Sequence, residues 1–322
     1  MRKLLCVIIP CYRSKNYIVE VLSGIPDFIN KIYIIDDCCP DKTGDFVINN
    51  FSNNKYRVIK LPYNQGVGAA LITGYKAALA DGMTIMIKMD GDNQMDPFYL
   101  KRLVTPILEG RADYTKGNRF FDFNSLKSMP RERLFGNMVL TFMAKVSTGY
   151  WEVSDPTNGY TAIHRSVFKL ISLEDISKRY YFEISLLSQL NIARALVLDV
   201  PIPARYGNEI SSLKITNVLI TYPLNLMKSL VKRIILRYYL YEISMASILF
   251  IIGLPFLLFG VFYGGYNWYR GSALQIVAPP GTVGLSLVFI IIGFQMLIQA
   301  ILVDVINKPH VPLAVLFKDG DS

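Results

Sequence analysis

Histidine, tryptophan and cysteine are scarce in this chain of 322 residues, which has two, two and four of them. With only His164 and His310, and with no Cys-x-x-Cys pair, the sequence lacks the ligand spacing of a zinc finger. No Gly-x-Gly-x-x-Gly follows the first apolar run, which argues against a dinucleotide-binding oxidoreductase. Basic and aromatic residues do not interleave outside the membrane-proximal region, so we expect no nucleic acid as a partner.

Charged residues make up only 18% of the chain, whereas hydrophobic residues reach 52%, which is high for a soluble enzyme. Much of the excess lies in two uncharged segments, 243–262 and 282–303. Each is long enough to cross a hydrocarbon core of about 30 Å as a helix that rises about 1.5 Å per residue. We therefore predict a transmembrane hairpin over 239–305; the alternative is a helical hairpin buried in a soluble core.

The net charge is +9, and a basic cluster directly precedes the first apolar segment. Its members are Lys228, Lys232, Arg233 and Arg237. The positive-inside rule places the residues before the hairpin and the tail, 306–322, in the cytoplasm, so the predicted location is the inner (plasma) membrane with two spans. Region 211–238 mixes apolar and basic residues and is interrupted by Pro223, which predicts two amphipathic helices lying on the cytoplasmic side of the lipid bilayer.

Residues 1–210 alternate short apolar runs with helical patterns. The predicted strands are 4–10, 31–37, 56–62 and 84–90. Continuous apolar strands that alternate with helices, such as those predicted at 16–22 and 68–80, indicate an α/β domain with a mostly parallel, twisted sheet covered on both faces. This domain is the predicted catalytic domain.

Polar segments follow three of these strands, at 10–17 (PCYRSKNY), 36–43 (DDCCPDKT) and 89–97 (MDGDNQMDP). Ligands of open parallel sheets bind beyond the carboxyl ends of the strands. Asp90 and Asp92, two residues apart at such an end, suit one Mg²⁺ or Mn²⁺ ion that is shared with phosphate oxygens. By itself an Asp-x-Asp pattern is common in loops.

Together with NQGVGAA at 64–70, the order of these motifs resembles the family 2 glycosyltransferases of the GT-A fold. Within that family the chain is most similar to the polyprenyl-phosphate glycosyltransferases, which include dolichol-phosphate mannosyltransferases and bacterial enzymes that load undecaprenyl phosphate. The resemblance covers essentially the whole chain. The usual second-strand motif is similar to DDGSxDxT, and here Cys38 and Cys39 replace Gly-Ser. We interpret the two thiols as reduced residues of a tight turn that requires small side chains.

The resemblance implies a nucleotide-sugar site that contains Pro10, Tyr12, Asp37, Asn64, Gly66, Asp90, Asp92 and Gln94. Pro10 and Tyr12 would flank the nucleobase, and Asp37 would contact the base or ribose. Asp90 and Asp92 would hold the metal, with Asp92 the more direct ligand. The glycines of the 64–70 segment would let the backbone and a helix N-terminus approach the nucleotide.

The resemblance also implies a site for the acceptor phosphate and the diphosphate, formed by Arg119, Arg131, Arg133, Asn137, Arg205, Ser212 and Lys214. Arginine suits this task because its planar fork binds phosphate oxygens in pairs, although solvated surface arginines are the alternative. The predicted catalytic residues are Asp92, Asp155 and Arg133. Asp155 opens the DPTNGY segment and is a candidate general base, or a residue that only orients the sugar, since a phosphate acceptor is largely ionised at pH 7.

The predicted function is an inverting transfer of a sugar from a nucleotide sugar, with UDP-hexose or UDP-N-acetylhexosamine favoured, to undecaprenyl phosphate for cell-surface glycans such as O-antigen. A homotetramer is expected by analogy with relatives. One alternative is a membrane glycosyltransferase with a non-lipid acceptor; another is a polysaccharide synthase, although neither Trp151 nor Trp268 follows an arginine as in the QxxRW motif of those enzymes. A membrane scaffold that binds nucleotide sugars without turnover is the alternative from another class.

Overall fold

The structure is a computed structural model. It describes residues 3–51, 53–121, 131–203 and 215–317. Within these ranges, side chains are described for all residues except 131–134 and 215–220. The chain forms two units, one made of 1–233 with 309–322 and the other of 234–308.

A mixed sheet lies at the centre of the first unit, and its described strands are β1 (Leu5–Cys11), β2 (Lys31–Asp36), β3 (Tyr56–Lys60), β4 (Ile85–Lys88), β5 (Tyr114–Asn118), β6 (Thr161–His164) and β7 (Val197–Pro201). The strand order is β3-β2-β1-β4-β6-β5-β7. Only β6, among these strands, runs antiparallel to its neighbours β4 and β5. The predicted α/β class with a mostly parallel sheet is therefore confirmed.

The described helices of the first unit, apart from short 3-10 turns, are α1 (Ile18–Gly24), α2 (Thr43–Asn50), α3 (Val67–Ala80), α4 (Leu100–Leu108), α5 (Arg131–Thr148), α6 (Phe182–Ile192), α7 (Ile215–Ile235) and α10 (Leu313–Leu316). One face of the sheet packs against buried residues of α1, α2 and α4, and the opposite face against α3 and α6. Because both faces are covered, β1 and β2 are apolar along nearly their whole length.

In the described part of the region predicted as two helices separated at Pro223, a single α-helix, α7, passes through this proline. A proline inside a helix removes one backbone hydrogen bond, but packing on either side can outweigh that loss. Here Tyr222 packs edge-on against Tyr181, with ring centroids 5.3 Å apart, and Leu226 is buried in the same cluster. A π-helix over Leu236–Tyr241 follows α7.

Arg233, one of the four residues of the basic cluster, is buried within the first unit. Its Nε donates to the carbonyl of Ser147 and its Nη2 to that of Val146, both at 3.0 Å, where the last carbonyls of α5 lack helical partners. Arg233 therefore caps α5, a structural role that the charge pattern does not predict.

The tail also belongs to the first unit. The buried carboxylate of Asp113 accepts hydrogen bonds from the backbone nitrogens of Leu313 at 2.8 Å and Ala314 at 3.0 Å, at the start of α10. Leu313 itself is buried in the core between the sheet and α3. The apolar tail is thus a packed element of this unit.

The second unit contains α8 (Met245–Leu274) and α9 (Pro280–Ile306), which pack against each other through small residues. A Cβ added to Gly260 would lie 2.8 Å from the backbone nitrogen of Ile290. Only 22% and 17% of the most apolar windows of the two helices are buried, which is unlike the core helices of a soluble protein. Both are long and apolar enough to cross a membrane.

The first of these helices is longer than the sequence analysis predicts. It extends to Leu274, beyond the apolar segment 243–262 that predicts it, so that most of the stretch between the two apolar segments is helical. A Cβ on Gly264 would lie 3.1 Å from the Ser286 side chain, which shows that α8 still packs against α9 beyond the predicted end at residue 262.

Candidate active site

A cavity of about 670 Å³ opens in the first unit at the carboxyl ends of β1, β2 and β4. Eight of the predicted site residues line it: Pro10, Tyr12, Asp37, Asn64, Gly66, Asp90, Asp92 and Asn137. The cavity therefore brings most of the predicted nucleotide-sugar residues together with one predicted acceptor residue. Its position agrees with the rule that ligands of open sheets bind beyond the strand ends.

The two aspartates at the end of β2 have different roles. Asp36 accepts hydrogen bonds from the backbone nitrogens of Cys39 at 2.6 Å and Gly44 at 2.7 Å, so it shapes the turn that follows it. Asp37 lines the cavity and accepts from the backbone nitrogens of Gln65 at 2.7 Å and Gly66 at 2.8 Å. Through these two hydrogen bonds Asp37 connects the segment before α3 to the carboxyl end of β2.

Gly66 is required for two reasons. Its φ of +96° lies in the region that favours glycine, and an added Cβ would lie 2.7 Å from the carbonyl oxygen of Lys178. Gly66 and Val67 line the cavity at the first turn of α3, where backbone nitrogens have no helical acceptors. Arg179 packs beside Gly66 and also lines the cavity.

The cysteine pair forms part of the turn after β2. Cys38 is exposed and left-handed, with φ 53°, whereas Cys39 is buried. The sulfur of Cys39 accepts a hydrogen bond from the backbone nitrogen of Arg13 at 2.9 Å and lies 3.1 Å from Thr43 Oγ1. Both thiols are free, and Cys39 links the turn after β2 to the segment that carries Tyr12.

Asp90 and Asp92 follow β4, and both line the cavity. Asp92 accepts a hydrogen bond from the backbone nitrogen of Gln94 at 3.0 Å, but Gln94 does not line the cavity. Two carboxylates that face one space fit a hard cation that is also held by substrate phosphates. Among the described residues no group of three or more potential ligands exists, so a metal here would depend on that substrate contribution.

Lys88 and Glu183 line the cavity as well, although neither is predicted as a site residue. Lys88 Nζ lies 2.8 Å from Glu183 Oε1 and 3.2 Å from Asp90 Oδ1, and its side chain is only 2% exposed. Burial alone would lower the pKa of Lys88, but the two carboxylates outweigh it and raise the pKa above its ordinary value. A charged residue in the apolar run of β4 was the available sequence signal; Glu183 gave none.

Arg119 and Asp155 contact each other instead of the cavity. Arg119 Nε lies 2.7 Å from Asp155 Oδ2, and Arg119 Nη2 lies 3.0 Å from Asp155 Oδ1. The Asp155 carboxylate is fully buried, and neither residue lines the cavity. The general-base role of Asp155 and the phosphate-binding role of Arg119 stay predictions.

Five further residues are predicted to bind the acceptor phosphate or the diphosphate. Arg131 and Arg133 lie on the first turn of α5, one to two turns before Asn137, and their side chains are outside the described set. Arg205, Ser212 and Lys214 lie outside the described residues. From the middle of α5, Leu140 lines the cavity together with Tyr222 of α7.

The chain belongs to glycosyl transferase family 2, whose model matches residues 6–171. It is 31% identical to UDP-N-acetylglucosamine--dolichyl-phosphate N-acetylglucosaminyltransferase of Methanococcus voltae over 239 residues, which cover 68% of this chain and 92% of that protein. It is 25% identical to undecaprenyl-phosphate mannosyltransferase of Micrococcus luteus, over 61% of this chain and 81% of the relative.

Among solved structures, glucosyl-3-phosphoglycerate synthase from Mycobacterium tuberculosis is similar in fold, with a TM-score of 0.54 and 19% identity. The similarity covers 72% of this chain and 80% of that one. That synthase was crystallised with Mn²⁺, UDP and glucosyl-3-phosphoglycerate. With the family match, this similarity confirms the predicted GT-A fold and the resemblance to family 2.

Proposed function

We propose that this protein transfers a sugar from a nucleotide sugar to a polyprenyl phosphate, with inversion at the anomeric carbon. The observation that carries the proposal is the cavity, which combines Asp37, Asp90 and Asp92 at the strand ends with Asn137 of α5. Relatives that carry sugars onto dolichyl and undecaprenyl phosphates support the acceptor class. UDP is the favoured nucleotide because the Methanococcus relative is named for a UDP-sugar.

In the proposed reaction an oxygen of the lipid phosphate attacks the anomeric carbon while the bond from that carbon to the nucleoside diphosphate breaks. The acceptor is already an anion near pH 7, so no side chain has to remove a proton from it. The protein positions the two substrates and stabilises the charge of the departing diphosphate, which is the larger part of catalysis in such reactions. Arg133, Arg205 and Lys214 are the basic residues we propose for that task.

Asp90 and Asp92 are the residues that would hold Mg²⁺ or Mn²⁺. When bound, such an ion would neutralise charge on the diphosphate of the donor. The chemistry of the pair supports this proposal, because both carboxylates face the cavity and Asp90 is 31% exposed.

We further propose that the hairpin of α8 and α9 spans the inner membrane, with the catalytic unit in the cytoplasm and α7 at the lipid surface. Exposed Lys228 and Lys232 before the hairpin support this orientation. We propose that the catalytic domain spans 1–210. We also propose that the protein forms a homotetramer. The products would supply a sugar for cell-surface glycans such as O-antigen.

The test is a screen of UDP- and GDP-sugars in which release of the nucleoside diphosphate is measured with and without undecaprenyl phosphate. We expect one donor, and UDP-N-acetylglucosamine is the first to try, to release its nucleotide only when the lipid phosphate is present. Release that needs no lipid, or that occurs equally with a soluble glycan acceptor, would contradict the proposed acceptor.

A further inference from the structure

Four carboxylates line the cavity in the described part of the chain: Asp37, Asp90, Asp92 and Glu183. The first three belong to the predicted motifs. Asp155, which the sequence analysis predicts close to the reacting sugar, does not line the cavity and is bound to Arg119. Glu183 is therefore a carboxylate of the cavity without an assigned role.

Glu183 lies in the first turn of α6 and is 13% exposed. Its Oε1 accepts from Lys88 Nζ at 2.8 Å. Within the described residues its Oε2 accepts no hydrogen bond. One oxygen of the carboxylate is thus fixed by the protein, while the other is available to a ligand in the cavity.

Lys88 is held firmly between two carboxylates. Asp90 and Glu183 bind its Nζ from two sides, and Gly159 covers it from a third, since an added Cβ at Gly159 would overlap Nζ and lie 2.8 Å from Asp90 Oδ2. The ammonium group therefore has little freedom to move, and it fixes the orientation of Glu183 relative to Asp90.

We propose that Glu183 Oε2 accepts a hydrogen bond from a hydroxyl group of the donor sugar, and that Lys88 is the positioning residue that aims it. The inference rests on the proposed function, in which a nucleotide sugar fills the cavity. Asp90 lies where the donor diphosphate is expected, and the sugar is the next group along the donor. A carboxylate next to that position suits sugar hydroxyls, because hydrogen bonds to an ionised acceptor are among the strong ones.

The test compares binding of UDP with binding of UDP-N-acetylglucosamine and UDP-glucose to the full chain in detergent with Mg²⁺, by calorimetry. In Glu183→Gln we expect UDP to bind within about twofold of the wild type and the better UDP-sugar to bind about 10-fold more weakly, as for loss of a hydrogen bond to a charged group. The matched control is Glu174→Gln, which changes an exposed carboxylate outside the cavity and should alter neither value.

Lys88→Met tests the positioning role. We expect Lys88→Met to weaken the binding of UDP-sugars more than the binding of UDP. We expect the double variant with Glu183→Gln to bind UDP-sugars no more weakly than whichever single variant binds them less well. Equal losses for UDP and UDP-sugar, or an unchanged ratio in Glu183→Gln, would overturn the inference. Additive losses in the double variant would overturn the role of Lys88.

Failure of the proposed function would look different. If the wild type binds UDP-sugars through Glu183 but transfers nothing to undecaprenyl phosphate, the acceptor is wrong and the inference stands. If the wild type binds neither UDP nor a UDP-sugar, both are contradicted.

Discussion

Arg119 and Asp155 form a two-point ion pair, in which Nε and Nη2 of the guanidinium reach the two carboxylate oxygens at 2.7 and 3.0 Å. The backbone nitrogen of Arg119 adds a third contact at 3.3 Å to Oδ2. Because Asp155 is fully buried while Arg119 is about one-third exposed, the carboxylate is placed to hold the arginine. Two residues that the sequence suggests for different tasks therefore act as one group.

This pairing predicts the behaviour of Asp155→Asn. Loss of the carboxylate charge should misplace the guanidinium and raise the KM for undecaprenyl phosphate about 10-fold, with a smaller effect on kcat. Transfer rates at varied lipid concentration measure this. Arg119→Lys should resemble it, since lysine lacks the planar fork, and the double variant should add little. A kcat reduced by about 100-fold or more at unchanged KM would instead indicate a general base.

Asp90 and Asp92 should not be equivalent. The Lys88 ammonium lies 3.2 Å from Asp90 and already offsets part of its charge. We expect Asp92→Asn to lower transfer about 100-fold, as for other losses of electrostatic stabilisation, and Asp90→Asn to lower it less. Rates across a Mg²⁺ titration measure both variants, and EDTA should abolish wild-type activity. Unchanged transfer in Asp92→Asn would contradict the site assignment.

The turn after β2 predicts that the thiols are replaceable but not equivalent. Cys38→Gly should stabilise the protein, because a left-handed φ of 53° costs a non-glycine residue roughly 1 kcal/mol. Cys39→Ser should keep an acceptor for the Arg13 nitrogen, whereas Cys39→Ala leaves that nitrogen unpaired. We expect the Gly-Ser double variant to retain transfer activity and Cys39→Ala to lower the Tm. A double variant without activity would mean that a thiol is needed.

Asp199 predicts a pH dependence of stability. Burial raises the pKa of its carboxyl from 3.8 to about 6, and its Oδ1 is buried without a partner in the described residues. The pKa of Asp199 is higher in the folded state than in the unfolded state. The contribution of this group to stability is therefore fully present below about pH 4 and is lost as the pH rises through about 6. Asp199→Asn removes that loss.

We expect Asp199→Asn to raise the Tm at pH 7.5 by about 2–4 °C, which corresponds to about 1 kcal/mol for a protein of this size. The difference from wild type should shrink towards pH 4. Thermal unfolding of the detergent-solubilised chain, followed by tryptophan fluorescence at several pH values, checks this. A difference that is constant with pH would show that Asp199 does not titrate in this range.

The sheet and the cavity were predictable because their signals are local. The apolar runs of β1 and β2 indicate buried strands. Polar segments that directly follow parallel strands must lie at the same edge of the sheet. Asp37 and Asp90 line the cavity for that reason.

Contacts between distant parts of the chain were not predictable in this way. Glu183 reaches Lys88 across 95 positions, and Arg119 reaches Asp155 across 36. Likewise, the charge of Arg233 suggests a lipid surface, but the residue caps α5. Composition and spacing do not encode which distant partner a charged side chain meets, because the tertiary packing of the whole unit decides it.

The most direct test of the proposed function is transfer of radiolabel from a UDP-sugar to undecaprenyl phosphate by the purified full chain with Mg²⁺, followed by extraction into organic solvent. We predict lipid-linked label that depends on the phosphate of the acceptor, so that undecaprenol gives none, and that is lost in Asp92→Asn. Label that remains in the aqueous phase for every UDP- and GDP-sugar supplied, or that reaches undecaprenol equally well, would contradict it.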